Sequence, residues 1–225
     1  MDANALRLSL KLAGLTTAAL LVLGLPLAQW LATTKWKGKV VAEAVVSLPL
    51  VLPPTVLGYY LLVAFGPRSP LGRTWIALTG HPLAFTFEGL LFASLLYSLP
   101  FAVQPFAASL AGVDRRFVEA SWSLGASRLA TFFEVTLPLA APGILAGAVL
   151  TFAHTLGEFG VVLMVGGNLP QETRTLSISL FDAVEALDYA SASATALFLL
   201  SVSFVVLLTT YTLRRHSPWS WTTRS

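Results

Sequence analysis

DRRFVEASWSLGASRLATFFEVTLP, residues 114–138, is the segment around which the rest of this 225-residue chain can be read. It mixes charged and large apolar side chains at helical spacing. Phe117, Trp122 and Leu124 stand among polar residues before Gly125, and Leu129, Phe132 and Phe133 follow it. The pattern predicts two short amphipathic helices joined at Gly125, which ends the first as a residue without a Cβ. Their apolar faces must rest on something, either the chain's own helices or a partner protein.

Outward from this segment, charge disappears. Gly89–Val113 precedes it with 25 residues free of Asp, Glu, Lys and Arg, and Val135–Gly157 continues with 23. Leu12–Thr34, Ala44–Pro67 and Tyr189–Leu213 are similar stretches of 23, 24 and 25 residues. At about 1.5 Å per residue, each is long enough to cross a hydrocarbon core of about 30 Å. The composition agrees: 56% of residues are hydrophobic, 11% are charged and the mean hydropathy is +0.75. A soluble domain carries about a quarter charged residues. That excludes a soluble enzyme and a disordered tail, and the lack of cysteine excludes a disulfide scaffold. The net charge of +3 is too small and scattered to suggest nucleic acid.

The expected fold is an all-α integral membrane protein, one domain over residues 1–225. Its five spans lie near 8–34, 40–65, 86–112, 135–165 and 189–213, with a loop at 114–134 outside the membrane. Phe159–Gln171 is too short to cross alone and extends the fourth helix or re-enters beside it. The first apolar stretch is too long for a signal-peptide core and reads as a retained helix. Five crossings place the termini on opposite sides. Nine Lys and Arg fall on the side of residues 35–39, 115–128 and the C-terminal tail, against five on the other. Positive residues stay cytoplasmic, so the N-terminus is expected outside and the C-terminus inside. Lys11 is placed to snorkel at an interface.

Glu119-Ala120-Ser121, three residues, Gly125, nine residues, Val135, one residue and Leu137-Pro138 resemble the EAA signature of ABC-importer permeases. Ser121 in place of the last alanine and Val135 in place of isoleucine are the departures. The resemblance covers roughly residues 37–213. Within it, SLPLVLPPTVLGYYLL at 47–62, SLPFAVQPF at 98–106 and LGEFGVVLMVGGNLP at 156–170 are similar to the permeases of oxyanion importers. The molybdate branch, which includes tungstate as a possible substrate, is the most similar; sulfate and thiosulfate permeases are the alternative.

The resemblance implies the type I ABC importer permease fold in a bacterial or archaeal cytoplasmic (inner) membrane, surrounded by lipid. It implies a pathway formed with a second copy of this chain and driven by two copies of an ABC ATPase subunit. A periplasmic or extracellular substrate-binding protein would deliver the oxyanion. ATP and Mg would sit on the ATPase. The chain has no G-x-x-x-x-G-K-[ST] loop, and it is expected to be no enzyme and to bind no cofactor itself. The 114–134 loop would be the coupling helix. Glu119 would fix it by polar contacts, Ala120 and Ser121 would let the partner backbone approach, and Gly125 would permit the bend. Trp122 or Phe117 would anchor in the ATPase groove, and Arg128 would belong to the same coupling surface.

A dianion is costly to desolvate, so its path needs donors and few acids. Thr55, Ser94, Ser98, Gln104, Thr151 and Thr155 are candidate lining groups, although hydroxyls in such helices also serve their own backbone or a neighbouring helix. Pro49, Pro53 and Pro54 interrupt the second span, and Pro100 and Pro105 the third. Glu158 lies about 35 Å along the helix from Val135, near the outer face. An acid there would repel the anion, so a gate or structural role is expected, paired with an Arg or with backbone amides. His154 lies four residues earlier on the same face. A hydrogen-bonded His154–Glu158 pair is preferred over a metal site, which lacks a third ligand.

Gly143 and Gly147 predict a close helix approach, to a neighbour in this chain or in a second copy. Leu176, Leu180, Val184 and Leu187 predict an amphipathic helix in the outer loop whose other face, Asp182, Glu185 and Asp188, is acidic. The resemblance gives that loop to the binding protein. An intramembrane protease is disfavoured by the lack of G-x-S-x-G and H-E-x-x-H motifs, and a secondary transporter by the lack of repeats.

Overall fold

The computed structural model describes residues 2–215, with side chains through residue 212. Arg224, counted above for orientation, lies outside the described residues. Every regular element among the described residues is a helix. Helix α1, Ala3–Thr33, starts at Asp2, whose carboxylate accepts from the amides of Asn4 and Ala5 at 2.9 and 3.1 Å. Its buried stripe, Leu12, Thr16, Leu20, Gly24, Ala28 and Leu31, recurs every three or four residues.

The expected second span is two helices. Helix α2, Lys39–Val51, and helix α3, Pro54–Phe65, are bent by 109° at their junction. Pro53 and Pro54 offer no amide to continue the ladder, and the residue before a proline is pushed out of the helical region. Leu52 accordingly sits at φ −70°, ψ 134°. Four helices are long and apolar enough to cross a membrane, or five if the bent pair counts as one span.

Helix α4, Pro70–Thr79, was not anticipated. Ser69 caps it, accepting from the Gly72 amide at 2.8 Å, and it ends on Gly80 at φ +80°. Helix α5, Phe87–Ala111, follows with Pro100 and Pro105 inside it. Beyond it, helix α6, Arg115–Ser123, and helix α7, Arg128–Thr131, form the elbow around Gly125. The expected fourth span, 135–165, is also redrawn. Helix α7 runs through a π-helical turn, Phe132–Thr136, into helix α8, Leu137–Gly157, so one rod extends over Arg128–Gly157. It stops at Glu158, and a separate helix α9 covers Gly160–Gly166. Helix α10, Leu176–Glu185, and helix α11, Tyr189–Arg215, complete the described chain.

Helix α5 is the hub. It supplies Ala102, Val103 and Phe106 to a core with Leu20 and Ala28 of α1, Val46 of α2 and Ile144 of α8. It supplies Ala93 to a second core with Leu61 of α3 and Val161 of α9. Leu90 joins Leu12 of α1, Val162 of α9 and Ile178 of α10 in a third. The glycine pair of α8 faces this hub within the same chain. A side chain at Gly143 would strike Ser109, and one at Gly147 would strike Pro105 and Phe106. Ser109 uses the close approach to donate to the Ala140 carbonyl at 2.8 Å.

Helix α10 buries Leu176, Ser177 and Ile178, whereas Val184 and Leu187 of the expected stripe are exposed. Its N-terminal turn is held by α1, since the Ser9 hydroxyl accepts from the Leu176 amide at 2.7 Å. Asp182 is no free surface acid: it meets Arg174 at 3.4 Å and accepts from the Asn168 amide nitrogen at 3.0 Å.

Candidate functional site

Two clusters contain most of the residues singled out by the sequence. The first is the elbow. Helix α6 buries no residue. Its C-terminus closes as a Schellman motif, in which the Gly125 amide donates to the Trp122 carbonyl at 2.9 Å and the Ala126 amide to the Ser121 carbonyl at 3.1 Å. Gly125 holds φ +87°, and a Cβ there would meet nothing within 4 Å. Its requirement is therefore conformational and not one of space.

Glu119 pairs with Arg115 one turn earlier, at 3.1 Å, with both side chains exposed. Ser121 turns inward and shares a hydrogen bond with Thr131 of α7 at 3.0 Å, so its hydroxyl braces the elbow. Ala120 is exposed. Trp122 is 45% and Leu124 90% exposed, and Leu129 and Phe133 are exposed as well. The elbow is braced from within and leaves its large apolar side chains in contact with solvent.

The second cluster lies between α5 and α8. Ser98 shares hydrogen bonds with His154 Nδ1 at 3.0 Å and with Thr155 Oγ1 at 2.8 Å. Thr155 donates its one hydroxyl proton to the Thr151 carbonyl at 2.9 Å. It must then accept from Ser98, and Ser98 in turn accepts from His154, so the imidazole proton sits on Nδ1. Thr151 donates to the Gly147 carbonyl at 2.8 Å. The His154 ring stacks on Phe101 at 3.7 Å between centroids, with Tyr97 at 4.9 Å. One turn further out, Ser94 donates to Oε2 of Glu158 at 3.4 Å. Oε1 of Glu158 has no hydrogen-bond partner among the described residues.

The expected His154–Glu158 pair does not form. Each finds its own serine on α5, because Ser94 and Ser98 have the same four-residue spacing as His154 and Glu158. No cluster of three metal-ligating side chains occurs among the described residues. Glu158 also has no Arg partner there; it sits at the break between α8 and α9, where the backbone amides of Val161 and Val162 serve its carboxyl, the alternative expected for it.

The candidate pathway groups thus separate. Ser94, Ser98, Thr151 and Thr155 are buried between helices. Gln104 is exposed and donates to Ser47 of α2 at 2.9 Å, and Thr55 is exposed in the first turn of α3. Tyr97 and Phe101 were missed by the sequence reading. The available signal was their four-residue spacing, offset by three from the two serines on α5.

The family described as "Binding-protein-dependent transport system inner membrane component" matches residues 21–217. The molybdenum transport system permease protein ModB of Azotobacter vinelandii is 51% identical over 214 residues, 95% of each chain. The protein of the same name from Escherichia coli K12 is 39% identical over 182 residues, covering 81% of this chain and 80% of that one. Among solved structures, a bacterial ABC transporter involved in the import of the acidic polysaccharide alginate superposes with a TM-score of 0.75. That match has 17% identity and covers 96% of this chain and 81% of the other, so it speaks to the fold alone. With several helices fit to span a bilayer and a family match over most of its length, the chain is a multi-pass membrane protein that belongs to the binding-protein-dependent transport system inner membrane components.

Proposed function

We propose that this chain is the membrane-spanning subunit of an ATP-driven importer that carries molybdate, with tungstate as a close analogue. The observation that carries the reading is the 51% identity, over 95% of both chains, with a molybdenum permease. In this reading two copies form the pathway, and the bent α2–α3 pair counts as the second of five spans. The N-terminus is outside and the C-terminus cytoplasmic. A binding protein delivers the oxyanion at the outer face. Two ATPase subunits, which hold ATP and Mg, power alternating access.

The elbow is the coupling element. Its exposed Trp122, Leu124 and Leu129 supply an apolar face for an ATPase groove. Gly125 and the Ser121–Thr131 bond keep its angle, while Glu119 and Arg128 provide rim charges. Ser98, Thr155 and Glu158 hold α5 against α8 and serve as gate supports, whereas Thr55, and Gln104 with its Ser47 partner, face the path. Among the described residues, no carboxylate but Glu43 lies beside Gln104 in its groove, which suits passage of an anion.

The test is uptake of radiolabelled molybdate in cells lacking their own molybdate permease, supplied with this chain and its neighbouring subunits. Restored uptake that tungstate suppresses and a large excess of sulfate does not is the expected result. Sulfate uptake, or molybdate uptake undiminished without a nucleotide-hydrolysing partner, would overturn the assignment.

A further inference from the structure

A cavity of about 790 Å3 opens where the ends of α1 and α5 meet the elbow. Lys35, Arg115 and Arg128 line it, and among the described residues no carboxylate does. Arg115 is shared with Glu119, but Lys35 and Arg128 make no ion pair among the described residues. Thr34 and Thr136 add hydroxyls, while Leu110 and Val118 make part of the wall apolar. The site is cationic, rich in donors and greasy on one side.

Two independent features fix its setting. Trp30 and Trp36 pack together at this end of α1, 6.2 Å between centroids and 40% and 61% exposed, and Trp122 stands on the cavity wall. Tryptophans at the ends of spans lie at headgroup depth. The π-helical turn also borders the cavity, through its first and last residues, Phe132 and Thr136. Single π turns inside helices recur at functional sites.

We propose that this cavity binds the phosphate of an anionic phospholipid headgroup, its acyl chains lying along the apolar wall. The shared chemistry is a tetrahedral oxyanion held by Lys35 and Arg128. A free oxyanion has the same chemistry, but the apolar wall and the headgroup depth favour an amphiphile. The proposal rests on the spans being in a membrane and is independent of the transported cargo.

The experiment is native mass spectrometry of the full-length chain, purified in neutral detergent with its accompanying subunits and titrated with phosphatidylglycerol or phosphatidylcholine. Phosphatidylglycerol is expected to bind preferentially. Lys35→Gln with Arg128→Gln is expected to weaken it about 30-fold, roughly fivefold for each charged contact to the phosphate lost. Lys37→Gln, which removes the same charge just outside the cavity, is expected to leave binding unchanged, and Lys35→Arg to preserve it. If the double variant does not fold, Lys35→Gln alone gives the roughly fivefold effect.

Equal binding of both lipids, or equal loss in Lys37→Gln, would overturn the proposal. Displacement of the lipid by millimolar phosphate or molybdate would assign the cavity to a soluble oxyanion and overturn the lipid as its source. Transport failure alone would leave these binding results intact, so the two readings fail separately.

Discussion

The polar cluster between α5 and α8 and the elbow at residues 115–131 both set hydroxyls and aromatic rings side by side, yet they are finished differently. In the cluster the serine and threonine hydroxyls all have partners inside the chain, running from His154 through Ser98 and Thr155 to a carbonyl, and only Oε1 of Glu158 is left over. In the elbow the polar groups brace the turn while Trp122, Leu124 and Leu129 face outward. Buried polar groups need complete pairing because the surroundings offer no substitute. Exposed apolar groups on a well-made turn are complete only when something covers them. The first region holds the chain together, and the second leaves an apolar face that, in the proposed function, a partner covers.

That contrast can be broken by substitution. The largest effect is expected at Gly147, where Pro105 and Phe106 occupy the space a side chain would need. Gly147→Leu is expected to cost about 3 kcal/mol, read as a drop in thermal stability of the purified chain. His154→Ala removes the stack on Phe101 and leaves Ser98 short of a donor, and is expected to cost about 2 kcal/mol. Gly125→Ala meets no neighbour and bears only left-handed backbone strain, about 1 kcal/mol. Its larger consequence is expected in ATPase association, measured by co-purification.

Leu124→Asp is expected to change stability by less than about 0.5 kcal/mol, since the site is a surface one, while abolishing ATPase association. If it lowered stability as much as His154→Ala, the distinction between the two regions would fail.

The smallest effect is expected at Asp188, which caps α11 by accepting from the Ser191 amide at 3.1 Å. Hydrogen bonds from the Ser191 hydroxyl and amide hold its carboxyl below the usual range. A carboxyl lowered on folding stabilises above its unfolded value and loses that contribution as pH falls through the folded one. Asp188→Ala is thus expected to be slightly less stable than the parent at neutral pH, the difference vanishing in acid in a thermal melt.

Much of this architecture could be read before any coordinates. The 86–112 span is realised as Phe87–Ala111, because a long uncharged run flanked by charge has few alternatives. Gly125 marked the elbow because a left-handed residue after an amphipathic stretch is a local signal. The angle between α2 and α3 was not legible: Pro53 and Pro54 announce an interruption, but its direction depends on packing against α5 and α9. Helix α4 was hidden because its sequence is short and carries Arg73 among mixed residues. The His154–Ser98 bond was missed for another reason. It joins residues 56 apart in sequence, and the periodicity of α8 alone paired His154 with Glu158 instead.

The unbroken rod from Arg128 to Gly157 has a mechanical consequence. Thirty residues of helix measure about 45 Å, so tilting the elbow end by about 5° swings the far tip through roughly 4 Å. That tip is where Glu158 interrupts the chain. A small displacement at the elbow therefore arrives, enlarged, at the far end of the rod.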